Sequence, residues 1–215
     1  MKVIKPSVEI MDVFDGQDVI RKLELCGRVC YKSEHKMKDT SPYKFIQNII
    51  NRGHESVLEH FSFSVKFICD RGISHEIVRH RIASYSQEST RYCNYSKGQF
   101  NGEITVIEPC FLVPGTKGYD AWYKACLVAE QMYFKMLDCG CSPQEARAVL
   151  PNSLKTELVM TANIREWRHF LKLRTSPAAH PQMREVAGLL LKELRVKIPV
   201  VFDDIVMILE AWFDG

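Results

Sequence analysis

Apolar residues fall along this chain in two rhythms. Phe61, Phe63, Val65 and Phe67 alternate with Ser62, Ser64 and Lys66, the period of two that turns one face of a strand to a core and the other to water. Residues 3–10, 103–108 and 156–162 read as further strands. Elsewhere the period is helical. Asp15 is placed to cap a helix to about residue 30, with Ile20, Leu23, Gly27 and Cys30 on one side. Ser41 and Pro42 read as cap and first position of a second helix, with Phe45, Ile46, Ile49 and Ile50 as its stripe and Gly53 as its stop. A short helix is expected over 74–83, with Ile73, Ile77 and Ile82 in the core, and a long one over 120–138. Ser142-Pro143-Gln144-Glu145 is a capping box that opens a helix closed by Pro151. Asn163 with Glu166 caps a helix to about residue 174, and Met183, Val186, Leu190 and Leu194 stripe a helix over 182–197. Strands and helices mix without strict alternation. The expected class is α+β: a single domain, residues 1–215, with a mixed or antiparallel sheet flanked by helices.

Composition narrows the partners. Hydrophobic residues at 46% and charged residues at 26% are globular usage and exclude wholesale disorder. Twenty-nine basic residues against 26 acidic ones leave +3, too small a surplus for a dedicated nucleic-acid or membrane binder. No stretch reaches the roughly 18 apolar residues of a membrane span, and residues 1–12 lack a secretory pattern. The expectation is therefore a cytoplasmic protein whose eight cysteines are free thiols. Cys26 and Cys30, one helical turn apart, read as core. Cys139-Gly-Cys141 has too few neighbouring ligands for zinc, and no metal site is expected.

Candidate chemistry concentrates in residues 79–94, RHRIASYSQESTRYCN. Only Ile82 and Ala83 are aliphatic. The rest supplies three arginines, a histidine, six hydroxyls, Gln87, Glu88 and Asn94. An arginine fork binds oxyanions bidentately, and aromatic and amide groups beside it suit a flat heterocycle, so the segment reads as a nucleotide site. Arg79, His80 and Arg81 are expected in the last helical turn, where the dipole favours cations. There Arg79 and Arg81 would point about 200° apart, which calls for two ligands or two subunits. Two other readings stand beside this one: a thiol-nucleophile enzyme using Cys93, and an RNA-binding module using the Arg and Tyr residues of 79–95.

Arg79-His80-Arg81, then seven residues, then Ser89-Thr90-Arg91-Tyr92, resembles the signature of the flavin-dependent thymidylate synthases. Gly53-His54-Glu55-Ser56, Glu59-His60, Ala146-Arg147-Ala148-Val149-Leu150-Pro151 and the stretch from Asn163 to Leu173-Arg174 extend the resemblance. It implies a dUMP site made by Glu76, Ile77, Val78 and Arg79 with Gln87, Glu88, Ser89, Thr90 and Arg91. Arg147 matches a second dUMP contact, and Arg174 matches the catalytic residue that meets and activates the pyrimidine. Ser56, Arg79, His80, Arg81, Gln87, Asn163, Ile164, Arg165 and His169 match positions that hold FAD. His54 matches a histidine near flavin and folate.

The implied reaction is reductive methylation of dUMP to dTMP. Methylenetetrahydrofolate gives the carbon and NADPH reduces FAD, in a homotetramer that shares its sites between chains and uses no cysteine nucleophile. This sequence departs from the commonest pattern at Ser86 and Gln87, where Asn and then Glu are usual. Glu76 stands where Gln is frequent, and His169 where Asn occurs in some members. A carboxylate at Glu76 would repel a phosphate, so it is expected to face the uracil, a ribose hydroxyl or Arg79.

Overall fold

The alternating run of residues 61–67 opens the longest strand pairing in the structure, a computed structural model in which residues 1–207 are described. Residues 208–215, the end of the expected 1–215 domain, lie outside the described residues. The first expected strand is two. Strand β1 (Lys2–Ile4) and strand β2 (Ser7–Ile10) are separated at Lys5-Pro6, and Pro6 has no N–H to give a ladder.

After them, Asp15 accepts a hydrogen bond from the Gln17 amide at 2.6 Å and opens helix α1 (Gly16–Val29). Its buried stripe runs Gly16, Val19, Ile20, Leu23, Glu24 and Gly27. This corrects the reading of Cys26 and Cys30 as core: Cys26 is half-buried and off the stripe, and Cys30, past the last helical residue, is exposed. Helix α2 (Ser41–Asn51) begins one residue earlier than expected, at the expected cap itself, because Thr40 holds the N-cap position. The Ser41 hydroxyl instead donates to the buried carboxylate of Glu24 at 2.8 Å. Gly53 ends the segment in the left-handed region, at φ 69°, where other residues are strained.

Strand β3 (Ser62–Asp70) leads straight into helix α3 (Arg71–Ile77), capped by Asp70, whose Oδ1 accepts from the Ile73 amide at 2.8 Å. The helix stops at Ile77, so Arg79–Arg81 lie beyond it and the expected opposition of Arg79 and Arg81 across a helix does not arise. Ile82, expected in the core, is 70% exposed. The cause is local: the Tyr85 hydroxyl sits 3.0 Å from the Ile77 carbonyl and 2.5 Å from that of His80, closing the chain into a turn. The polar segment then supplies strand β4 (Ser84–Gln87), which period alone did not reveal.

Next come strand β5 (Thr105–Ile107), helix α4 (Lys117–Asp138) and short helix α5 (Pro143–Ala146), which carries the expected capping box. Strand β6 (Lys155–Asn163), helix α6 (Ile164–Arg174) and helix α7 (Pro181–Lys197) follow. Strands β2-β3-β6-β4 make an antiparallel sheet, and β1-β5 make a separate parallel pair.

One face of the larger sheet gives Phe63, Val65, Phe67, Leu158 and Met160 to a core shared with α1, α6 and α7. Trp167 of α6 stacks on Phe63 at 5.2 Å, and its Nε1–H donates to the Phe63 carbonyl at 3.2 Å. A second cluster joins Val106 of β5, Leu154, and Cys126 and Tyr133 of α4. The eight cysteines are unpaired. Among the described residues no helix is long and apolar enough to cross a membrane.

Gly16 marks where α1 meets the end of α7, since a Cβ there would lie 1.9 Å from the Lys197 carbonyl oxygen. Gly16→Ala should therefore destabilise by about 1–3 kcal/mol, the usual range for overpacking. Thermal denaturation should show a fall of roughly 2–4 °C per kcal/mol for a chain of this size. An unchanged midpoint would mean that the two helix ends do not pack this closely.

Candidate active site

Two segments build a polar cluster around Arg174. Asn163, the last residue of β6, caps α6 by accepting from the Glu166 amide at 2.9 Å. From there Glu166, His169, Phe170 and Arg174 follow at helical spacing. The chain leaving α3 supplies Glu76 and His80. Arg174 donates three times: Nε to His80 Nε2 at 3.1 Å, Nη1 to Glu76 Oε2 at 3.0 Å and Nη2 to the Glu76 carbonyl at 2.9 Å. His80 Nδ1 lies 3.0 Å from Glu166 Oε1. Its ring packs on Phe170 at 4.9 Å and on His169 at 5.5 Å.

The proton positions follow from chemistry. A guanidinium only donates, so His80 Nε2 must carry the lone pair and Nδ1 the proton, which goes to the Glu166 carboxylate. Burial holds the His80 imidazole below the ordinary histidine value; Glu166 opposes that shift and Arg174 adds to it. The ring is therefore neutral at neutral pH. His80, Glu166 and His169 present ligand atoms within 4.8 Å of one another, but both His80 nitrogens are engaged and the Arg174 cation adjoins them. The group reads as a hydrogen-bond chain.

A second cluster lies beyond β4. Arg147 donates to Thr90 Oγ1 at 3.4 Å, and Arg91 Nε donates to Gln144 Oε1 at 3.0 Å, which leaves the forked end of the Arg91 guanidinium outward. Ser89 Oγ accepts from the Arg91 amide at 3.3 Å. Beside it, Glu88 accepts from Lys155 Nζ at 3.0 Å and from the Tyr95 hydroxyl at 3.2 Å. Ser86, Gln87, Glu88, Cys93 and Lys155 line a cavity of about 360 Å³. Burial, and then the charge of Glu88, push the Cys93 thiol up, which disfavours the thiolate a nucleophile needs.

The expected residues divide by environment. Arg79, Arg81, His54, Ser56 and His169 are exposed, and Arg79 and Arg81 make no side-chain hydrogen bond or ion pair with any other described residue. Val78 is exposed, whereas the side chains of Ile77 and Ile164 lie in the core and have only backbone to offer a ligand. Gln87 is turned inward, donating to Ser74 Oγ at 2.8 Å and Thr156 Oγ1 at 3.2 Å. Arg165 is paired with Glu59 at 2.6 Å. Glu76 pairs with Arg174 at 3.0 Å, which corrects the expectation of Arg79 as its protein partner. Glu166 and Lys155 were not singled out as site residues. Glu166 was read only as a cap partner, though it shares a helix face with Arg174.

With this geometry in place, similarity adds an independent line. A family model described as thymidylate synthase complementing protein matches residues 12–200. A flavin-dependent thymidylate synthase of Pyrococcus furiosus is 35% identical over 170 residues, covering 78% of this chain and 68% of that protein. Among solved structures, a UMP/dUMP methylase from Streptomyces cacaoi bound with 5-Br dUMP aligns with TM-score 0.74 and 25% identity over 94% of this chain and 96% of that chain. The flavin-dependent thymidylate synthase of Helicobacter pylori, complexed with FAD and dUMP, aligns with TM-score 0.75 over 93% of this chain and 99% of that chain; at 23% identity it carries the fold alone.

The raised Cys93 thiol gives a direct test. In limited alkylation at neutral pH, the exposed Cys30 and Cys139 should label well before Cys93, read by peptide mass spectrometry. Labelling of Cys93 at the rate of the exposed pair would return the thiol-nucleophile reading.

Proposed function

The chain belongs to the flavin-dependent thymidylate synthase family, and on that premise we propose that it methylates dUMP to dTMP as an FAD-dependent enzyme. Methylenetetrahydrofolate is the carbon donor and NADPH the reductant in this reading, and the free thiols fit a cytoplasmic setting. The chain, residues 12–200 in particular, acts as one domain. The observation that carries the proposal is Arg174, a guanidinium held by three hydrogen bonds and still 13% exposed at its side chain.

The FAD positions fit in part. Arg79 and Arg81 are exposed cations without partners among the described residues, suited to a pyrophosphate, and His54, Ser56 and His169 are likewise exposed. Asn163 offers its amide NH2 while its oxygen caps α6. Arg165 would have to share its guanidinium with Glu59. Gln87 serves the interior, so this family position is the weakest match. Reduced flavin, when bound, supplies hydride, and the protein supplies position and field.

For the methyl acceptor, Ser89, Thr90, Arg91 and Arg147 form the phosphate end, with charge-assisted bonds from the two guanidinium groups. Uracil carbon 5 becomes nucleophilic as negative charge develops on the ring oxygens. Arg174 stabilises that charge with donors already fixed, and as a guanidinium it keeps its proton throughout. Cys93 has no part in this chemistry, which agrees with its raised thiol.

A homotetramer with shared sites completes the proposal. The opposed-helix argument for it does not survive, since Arg79 and Arg81 lie past the helix. Its support is now that Arg79 and Arg81 present exposed charge with no partner among the described residues. An isologous assembly brings such patches together.

Denaturing the purified protein should release FAD, identified by chromatography. If FAD neither co-purifies nor binds on addition, the proposed function falls. Arg174→Ala should keep the fold and lose on the order of 10²–10³ in turnover of dUMP, as loss of a preorganised donor does. Arg174→Lys should recover little of it, since a point charge cannot reproduce a planar fork. Mixing inactive Arg174→Ala and Arg81→Ala chains under subunit exchange should restore part of the activity, because some mixed sites would then hold both wild-type arginines. Failure to complement, with exchange verified, would place both residues in a site made by one chain.

A further inference from the structure

The hydrogen-bond chain behind Arg174 contains a residue to which neither the family signature nor the expected site assigns a role. Glu166 is 6% exposed and His80 5% exposed. Their contact at 3.0 Å joins the first turn of α6 to the segment leaving α3. His80 in turn accepts from Arg174 Nε at 3.1 Å. Within this chain the direction of every hydrogen bond is forced from one end, because Arg174 has no acceptor.

We propose that Glu166 is a positioning residue: by accepting from Nδ1–H it fixes His80 in the tautomer whose bare Nε2 anchors Arg174 at Nε. The inference rests on the reading of Arg174 as the residue that stabilises charge on the uracil. Glu166 touches no substrate in this scheme. It acts through His80, as outer-shell carboxylates act through histidine ligands elsewhere.

The physical argument is one of matching. Without an acceptor at Nδ1, the buried ring would carry an unsatisfied N–H, and the other tautomer becomes the better choice. That tautomer sets Nε2–H against Arg174 Nε–H, two donors face to face. Arg174 would then keep only its two bonds to Glu76 and lose the one that fixes its Nε edge. A displacement of this kind is costly where charge stabilisation depends on fixed donors.

Acid has the same effect on Nε2 as deleting the Glu166 acceptor. Protonated His80 also carries Nε2–H. The groups facing the ring are Glu166, His169 and Arg174 from α6, with Glu76 of α3 reached through Arg174 and the Tyr85 hydroxyl of β4 on the His80 carbonyl. Burial and Arg174 keep the ring neutral, whereas Glu166 favours its protonated form. Removing the charge of Glu166 while keeping an acceptor should therefore make the ring harder to protonate.

The test uses the full-length purified protein with bound FAD. Ring nitrogen-15 NMR of the histidines, with the His80 signal identified by its absence in His80→Gln, should show a protonated Nδ1 and a bare Nε2. Glu166→Ala should lower kcat on the order of 10–100-fold, the usual effect of losing an outer-shell partner, with far less change in KM for dUMP. Its His80 ring should carry a proton on Nε2. Glu166→Gln, whose amide oxygen still accepts, should recover most of the loss and move the acid limb of the kcat profile to lower pH. A purely structural carboxylate would leave tautomer and acid limb where they are.

A wild-type ring with Nε2–H, or a Glu166→Ala enzyme with wild-type kcat, overturns the proposal. If Glu166→Ala does not fold, the wild-type tautomer and the Glu166→Gln profile still decide it. A wild-type protein that binds no flavin and methylates no dUMP would instead sink the functional reading, and the ring spectrum would still report whether Glu166 sets the tautomer.

Discussion

The antiparallel ladder between β3 and β6 is the constraint on which the rest depends. It runs from Ser62 opposite Asn163 to Asp70 opposite Lys155. Because the strands are antiparallel, they end at opposite ends of the ladder, and the last residue of each caps the helix that follows: Asp70 for α3, Asn163 for α6. The two helices thus set out from opposite ends of one ladder. They meet where Glu76 and His80 reach Arg174 and Glu166. A slip of one residue in the register would turn Phe63, Val65 and Phe67 to solvent and would also misplace both caps. Core and candidate site therefore share one register.

The ladder was legible in the sequence because its face alternates cleanly, Phe61 to Phe67 on one strand. So were the caps at Asp15, Asn163 and Ser142, each an oxygen-bearing side chain placed just before an apolar stripe. Strand β4 was not, because Ser84–Gln87 has no apolar alternation; its place comes from pairing with β6, a long-range contact that local period does not encode. The early end of α3 was hidden because side chains, not period, set it. The Tyr85 hydroxyl closes the turn on the Ile77 and His80 carbonyls, a side-chain contact with no periodic mark, and the Glu166 carboxylate reaches His80 from across the fold. Ile82 looked like a core residue by spacing, and spacing fails once the helix has stopped.

Site residues followed the same rule. The 79–91 segment announced itself by its density of donors, and resemblance assigned Arg147 and Arg174, which alone would read as a surface charge and a helix-end cation. Glu166 was visible only as half of a cap. Its second role depends on its carboxylate facing inward, and a buried carboxylate is tolerated only when matched. Glu24 shows the same device elsewhere: fully buried, it takes Arg28 Nε at 2.7 Å and the Ser41 hydroxyl at 2.8 Å. That pair holds α1 against α2, whereas the Glu166 pair ends on a residue still open to solvent. Matching is equal in the two cases, and the difference in use comes from where the chain of donors ends.

The pairing of Glu76 with Arg174 bears on how much charge the guanidinium has left for a ligand. Arginine has five N–H donors, and Arg174 directs three of them inward, to His80 Nε2, Glu76 Oε2 and the Glu76 carbonyl. Two remain, one on each Nη, on an edge whose Nε side is already fixed. A carboxylate beside the cation lowers the net field at that edge, whereas the glutamine frequent at this position in the family would leave the cation uncompensated. The gain from Glu76 lies in geometry: its side chain and its carbonyl hold both Nη atoms, so the plane of the guanidinium is set before any ligand arrives. Fixed orientation matters more than bare charge where charge must be stabilised as it forms, since donors already in place need no reorganisation. A glutamine could accept at the same place through its amide oxygen, so what the carboxylate adds is a charge-assisted hold on Nη1 at the expense of some field; of the three bonds that fix the plane, the relay through His80 is the one that does not come from Glu76 itself.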